Sequence, residues 1–274
     1  MPRGFFRLPL RTPTLPPVNH TNCYVIGHRE ALVVDPGSSF PRELDRLRRV
    51  LWRLRGQGGR VAAVLLTHHH KDHIGGALTL CKELDAPLAG HPETLSRLIL
   101  PGTRPDLLGV WEGHRFRCDG LELDCIPTPG HAPGHLCLFE PRHRVLLGGD
   151  MVPGEGTTLV APPEGDMAVY LESLRRLLDL RPRELLPAHG PPIADGEAAI
   201  RRLIAHRLWR EQRILDAVAS GGEPRTLGAV IRLAYDDVPP WVAPLAARSA
   251  EAHLLKLERD GRVRRTGQDL WTAA

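Results

Sequence analysis

The chain has 274 residues, 42% of them apolar, enough for one large or two modest domains that each bury a core, which excludes general disorder. Charge is nearly balanced, with 36 Lys or Arg against 32 Asp or Glu, and a net +4 is too small an excess to demand a nucleic-acid partner by itself. The longest unbroken apolar run, Val61 to Leu66, falls far short of the roughly 20 residues of a bilayer-spanning helix, so no membrane partner is expected.

In chain order, Met1 to Leu15 places arginines around only a few apolar residues and is interrupted by Pro2, Pro9 and Pro13, so it lacks the apolar stretch of a signal peptide and secretion is disfavoured. Apolar runs then mark candidate strands at Asn22 to Ile26, Ala31 to Val34, Val61 to Leu66, Leu121 to Ile126, Leu136 to Phe139, Val145 to Leu147 and Glu184 to Leu186. Between them, Pro41 to Leu54 carries Leu44, Leu47, Val50, Leu51 and Leu54 at helical spacing, and Met167 to Leu180 repeats the pattern with Tyr170, Leu171, Leu174 and Leu177. Strands alternating with helices predict an α/β layered architecture. After Pro191-Pro192 the texture changes. A long helical pattern from about Glu197 to Ala219, shorter ones at Thr226 to Ala234 and Val242 to Leu257, and two terminal segments, Arg262 to Arg264 and Asp269 to Trp271, outline a winged helix. The boundary is placed between residues 195 and 196, giving domains 1–195 and 196–274.

The five cysteines are odd in number and contain no Cys-x-x-Cys pair, so neither a disulfide framework nor a zinc ribbon is indicated, and a reducing, cytoplasmic setting is expected. All but Lys71, Lys82 and Lys256 of the basic residues are arginine, the better bidentate partner for carboxylate or phosphate.

Chemistry concentrates in Thr67-His68-His69-His70-Lys71-Asp72-His73, where an apolar strand runs into a helix. Imidazoles and carboxylates suit zinc, manganese or iron, and this density at a strand end calls for a loop wrapped around metal. Three further candidates each follow an apolar run: His131 after Pro129-Gly130, Asp150 after Gly148-Gly149, and His189 before Gly190. His69 sits inside the motif with its side chain expected to point away, and Lys71 is expected to be solvated. A structural hydrogen-bonding role is assigned to His135. His20, His28, His91, His114, His143, His206 and His253 share no spacing and are read as surface or packing residues.

On these residues the sequence resembles the metallo-β-lactamase superfamily, whose signature His-x-His-x-Asp-His stands here as His68, His70, Asp72 and His73. The resemblance implies a four-layered αβ/βα sandwich with a dinuclear centre at one end. It assigns His68, His70 and His131 to one metal and Asp72, His73 and His189 to the other, with Asp150 bridging, and it places Asp35 behind a ligand histidine. Two divalent ions, zinc first and manganese or iron as alternatives, would share a bridging hydroxide as nucleophile, with Asp72 as the catalytic residue that orients it or takes its proton.

Within the superfamily, exported zinc β-lactamases normally lack the bridging aspartate, and the β-CASP ribonucleases need a large insertion where residues 151–188 leave no room. Gly149-Asp150-Met151 through Gly154-Glu155-Gly156-Thr157, together with Ala252-His253-Leu254 through Gly261, is similar to the β-lactamase-like protein 2 subfamily. That resemblance implies single-stranded RNA as the favoured substrate of an endoribonuclease, with a glyoxalase II-like or carrier-protein acyl thioester as the alternative. Arg248, Lys256, Arg259, Arg262, Arg264 and Arg265 are the candidate phosphate contacts, against a plainer reading in which they pair with Glu251, Glu258 and Asp260. Aromatic content of 5% gives no evident stacking platform, Trp111, Trp209 and Trp241 being the nearest to one. A ligand-sensing DNA regulator is disfavoured by the full ligand set. Oligomeric state stays open.

Overall fold

In the computed structural model, residues 4–99 and 105–274 are described; Met1 to Arg3, part of the N-terminal stretch weighed above, lie outside them. A six-stranded sheet runs in chain order through β1 (Phe5–Arg11), β2 (His20–Ile26), β3 (Glu30–Val34), β4 (Arg60–Leu65), β5 (Leu88–Gly90) and β6 (Leu107–Gly109). The first three pair antiparallel and the rest parallel. A second sheet holds β7 (Arg115–Cys118), β8 (Leu121–Pro127), β9 (Leu136–Glu140), β10 (Val145–Gly149) and β11 (Glu184–Pro187), in the order β11-β10-β9-β8-β7.

The two sheets face one another across a core that includes Ile26, Leu32, Leu65, Leu123, Leu138 and Leu186. The outer face of the first sheet, with Val25, Val33, Val64 and Leu66, is covered by Leu47 and Leu51 of α1 (Pro41–Gly56) and Leu80 of α3 (Ala77–Leu84), the short α2 (Lys71–Ile74) lying between them in the chain. Another short helix, α4 (Pro92–Ser96), follows β5. The outer face of the second sheet, with Phe139, Leu146 and Leu185, packs on Met167, Tyr170 and Leu174 of α5 (Met167–Asp179). These are the four layers of an αβ/βα sandwich. Because strands such as β3 bury both faces, they read in sequence as continuous apolar runs rather than as alternation.

Three strands not foreseen from the sequence, β1, β5 and β6, have physical explanations. β1 holds Pro9 because it is an edge strand, paired with β2 alone, where a missing N–H costs little. β5 and β6 are three residues each, too short to leave a pattern.

The C-terminal part comprises α6 (Gly196–Ala219), β12 (Arg225–Thr226), α7 (Leu227–Ala234), α8 (Ala243–Arg259) and the hairpin β13 (Val263–Gly267) and β14 (Leu270–Ala273), a winged helix. Ile214, Val218, Val230, Leu254, Leu257 and Trp271 form its core. α6 is shared: Ala199 and Ile200 pack with α5 while Ile214 and Val218 belong to the small core. α8 is shared as well, since Leu254 and Leu257 face the small core and Ala252 packs among Met167 and Tyr170. No described helix is long and apolar enough to cross a membrane.

Candidate metal centre

Each singled-out residue lies just beyond the C-terminal end of a strand, and all these ends lie at one end of the sandwich. Asp35 follows β3, His68 to His73 follow β4, His131 follows β8, Asp150 follows β10 and His189 follows β11. Two glycines make the approach possible. Gly149 has φ +50°, and a Cβ there would meet His135 Nε2 at 2.5 Å. Gly130 has φ +123°, and its Cβ would meet the backbone of Tyr170 at 2.3 Å. Only glycine combines that backbone with that clearance.

His68 Nε2 and His70 Nδ1 stand 2.9 Å apart, and His131 Nε2 lies 3.3 Å from the first and 3.1 Å from the second. Asp150 Oδ2 closes this group at 3.5 Å from His131 Nε2. Its other oxygen, Oδ1, sits 3.3 Å from both His73 Nε2 and His189 Nε2, and Asp72 Oδ2 is 3.5 Å from His189 Nε2. Asp150 therefore turns one oxygen to each group, and all seven residues converge.

The outer ring nitrogens of the five histidines are each matched to an acceptor. His73 Nδ1 faces Asp35 Oδ2 at 2.8 Å, His131 Nδ1 the Leu159 carbonyl at 2.8 Å, and His189 Nδ1 the His20 carbonyl at 3.0 Å. Thr67 donates its hydroxyl to Asp35 Oδ2 at 2.6 Å, leaving its oxygen to accept from His68 Nδ1 at 3.1 Å. His70 Nε2 lies 3.5 Å from Glu164 Oε2. With protons held on the outside, the inner nitrogens present lone pairs to one another, an arrangement that repels unless a cation lies between them. Among buried polar atoms, His73 Nε2 and Asp150 Oδ1 lack any hydrogen-bond partner. This donor set fits divalent metal ions.

The electrostatics agree. Burial holds the His68 imidazole well below its ordinary range and His70 at about 4. Burial works the same way on His73, but Asp150, Asp35 and Asp72 override it and raise that group. Asp150 is held well below the carboxylate range despite its burial, chiefly by His73 and His189.

Around the centre, His69 Nε2 turns to Glu164 Oε1 at 3.1 Å, away from the inner group, and Lys71 is exposed. His135 is fully buried, bonded through Nδ1 to Thr128 Oγ1 at 2.8 Å, and its Nε2 accepts the Asp150 N–H at 3.1 Å, so it anchors the backbone of that residue. Sequence reasoning missed Thr67 and Glu164. Thr67 adjoins the histidine motif and was within reach, whereas Glu164 comes from the distant loop before α5 and carries no signal.

A cavity of about 710 Å3 opens over the centre. His70, Asp72, Asp150 and His189 form its floor, with Leu159 and Pro162 at one wall and Arg207, Leu245 and Ser249 of the winged helix at another. The six basic candidates divide. Arg259 makes a bidentate pair with Asp166 at 2.7 and 2.8 Å, Lys256 binds Glu211 at 2.9 Å and Asp260 at 2.6 Å, and Arg248 donates to the Pro162 carbonyl. Arg262 and Arg264 are exposed, and Arg265 lies 4.5 Å over the Trp271 ring.

Fold and site together define a metal-dependent hydrolase, and comparison with known proteins agrees. Residues 16–189 match the model of the metallo-beta-lactamase superfamily, and residues 226–271 match the beta-lactamase associated winged helix domain. The chain belongs to the metallo-beta-lactamase superfamily. It is 30% identical over 253 residues to the Beta-lactamase-like protein 2 homolog of Drosophila melanogaster, covering 89% of this chain and 84% of that protein. It is also 30% identical over 246 residues to an Atrochrysone carboxyl ACP thioesterase of Emericella nidulans, covering 89% and 76%. Among solved structures, a metallo-beta-lactamase family protein from Thermus thermophilus superposes with a TM-score of 0.80 at 25% identity, covering 99% of each chain.

Proposed function

We propose that this chain is a two-metal hydrolase of acyl thioesters, built from a catalytic domain 1–195 and a winged-helix domain 196–274 and acting in the cytoplasm. The observation that carries the substrate class is the use made of α8. In a nucleic-acid-binding winged helix the corresponding helix enters a groove. Here Ala252 packs against the catalytic domain, Arg248 and Arg259 tie to Pro162 and Asp166, and Leu245 and Ser249 wall the cavity over the site. A compact, largely apolar chamber suits an acyl chain better than a polynucleotide. The thioesterase name of a relative matching most of this chain supports the same reading. Five buried free cysteines suit a reducing compartment.

In this reading His68, His70, His131 and Asp150 hold one ion and Asp72, His73, His189 and Asp150 the other, with zinc the metal we assign and manganese or iron suited to the same donors. Bound there, the metals supply Lewis acidity toward the thioester carbonyl and acidify a water molecule. Asp72, on the cavity floor, orients the attacking water and accepts its proton. His135 keeps Asp150 in place through its backbone N–H, and Asp35 keeps the His73 ring turned inward.

A second reading, single-stranded RNA, is favoured by one observation: Arg262 and Arg264 are exposed on the wing without an ion-pair partner among the described residues. One experiment separates them. Metal-loaded protein is assayed for thiol release from a panel of acyl thioesters and for cleavage of labelled single-stranded RNA, with chelator and Asp150→Ala as controls. Chelator-sensitive thiol release, lost in the variant, is expected. Inert thioesters with RNA cleavage lost in the variant would overturn the proposal in favour of RNA.

A further inference from the structure

Arg207, on α6, is only 4% exposed yet lines the cavity. Its Nη2 donates to the Thr158 carbonyl at 2.5 Å and its guanidinium lies 5.5 Å from the Tyr170 ring centroid, while its Nε has no partner. No carboxylate among the described residues lies within ion-pairing distance of it. The neighbouring Arg210, as deeply buried at 5%, shows the ordinary solution: a bidentate pair with Asp237 at 2.7 and 2.8 Å. A buried guanidinium without a counter-ion is costly, and an anion brought into the cavity by a ligand would offset that cost.

Its position says what arrives. Thr158, whose carbonyl Arg207 holds, donates its own hydroxyl to the Asp150 carbonyl at 2.7 Å, so one residue separates the guanidinium from the metal centre. A substrate whose scissile carbonyl sits at Asp72 and Asp150 thus passes beside Arg207 within the same chamber. We infer that Arg207 is a specificity residue that binds an oxyanion, carboxylate or phosphate, carried by the substrate at a distance from the bond that is cut. This rests on the thioesterase reading. The planar fork suits either oxyanion. The oxyanion has two possible sources in a thioester: a carboxylate on the acyl part or a phosphate on the pantetheine arm of the thiol.

The test uses metal-loaded protein and three thioesters: a neutral acyl group on N-acetylcysteamine, an acyl group bearing a carboxylate on the same thiol, and the neutral acyl group on phosphopantetheine. One charged substrate is expected to exceed the neutral one in kcat/KM by about 10- to 100-fold, the worth of one charge-assisted hydrogen bond. Which of the two does so names the source. Arg207→Met should remove that preference through KM, and Arg207→Lys, which keeps the charge, should restore part of it. Equal losses on charged and neutral substrates would overturn the inference and leave Arg207 as a brace for Thr158. If no thioester is cut, the thioesterase reading falls, and sulfate decides the anion site alone. Sulfate should raise the thermal midpoint of the wild-type protein more than that of Arg207→Met; identical shifts would overturn the site.

Discussion

Asp35→Asn isolates one contact of the metal centre. The Asp35 carboxylate is 2% exposed and accepts from the Thr67 N–H at 2.8 Å, the Thr67 hydroxyl at 2.6 Å and His73 Nδ1 at 2.8 Å. Asparagine tolerates the left-handed backbone at this position, φ +48°, so the change adds no strain. It does replace one accepting oxygen by an amide that donates. If the NH2 faces Thr67 and His73, two donors lose their acceptor, and if it turns the other way the Thr67 N–H loses its own. At about 1 to 3 kcal/mol for a buried group left unsatisfied, the cheaper amide orientation should cost the fold roughly 1 to 3 kcal/mol, and a His73 ring that has lost its carboxylate partner should bind metal about 10- to 100-fold more weakly. Chelator titration of the metal-loaded protein, followed by metal content, measures the second quantity, and denaturant unfolding measures the first. A variant that keeps wild-type resistance to chelator would refute the claim that Asp35 fixes the His73 ring.

Three further outcomes follow from the same geometry. Gly149→Ala should cut activity and metal content together, because its Cβ would lie 2.5 Å from His135 Nε2 and displace the ring that anchors Asp150; full metal occupancy in this variant would contradict that. Asp166 both caps α5, through Ala168 N–H at 2.9 Å, and pairs with Arg259, so Asp166→Asn should cost under about 1 kcal/mol and Asp166→Ala about 1 to 2. Arg259 holds the Asp166 carboxyl below its ordinary value, so the stabilisation is complete above about pH 4 and fades as pH falls through the lowered value, a loss that unfolding measured against pH should show in wild type and not in Asp166→Asn. Replacing Arg262, Arg264 and Arg265 by alanine should leave thiol release within about twofold, and binding of single-stranded RNA that falls with a reduced salt slope would restore the wing as a nucleic-acid surface.

The dense histidine motif was legible because its chemistry is local. His68, His70, Asp72 and His73 lie within one strand-to-helix turn, and a stretch of Thr, His and Asp in that place has few structural uses. His131, Asp150 and His189 were legible for a related reason: each directly follows an apolar strand, and strands of one direction deliver their ends to one side. The seven strands foreseen all occur, six of them lengthened by one or two residues and the Val61 to Leu66 run shifted by one to Arg60–Leu65, since apolar runs mark buried centres more sharply than borders. Glu164 was not legible. It reaches His69 and His70 from a loop more than 90 residues along the chain, placed by tertiary contacts that no periodicity encodes.

The C-terminal helices show the same limit from the other side. Their pattern gave a winged helix but not its orientation, because α8 is apolar on two faces: Leu254 and Leu257 serve the small core, and Ala252 serves the interface with α5. A small residue such as Ala252 gives little hydropathy signal, yet close helix packing requires one, so the face that decides between groove-reading and cavity-walling is the face least visible in sequence. Arg207 is hidden in the same way. As one arginine among many on α6 it reads as a solvated charge, and only the meeting of α6, Thr158 and Tyr170 buries it without a counter-ion. The candidate metal centre is therefore set by the catalytic domain's strand ends, while the cavity above it is walled by the seam between the two domains.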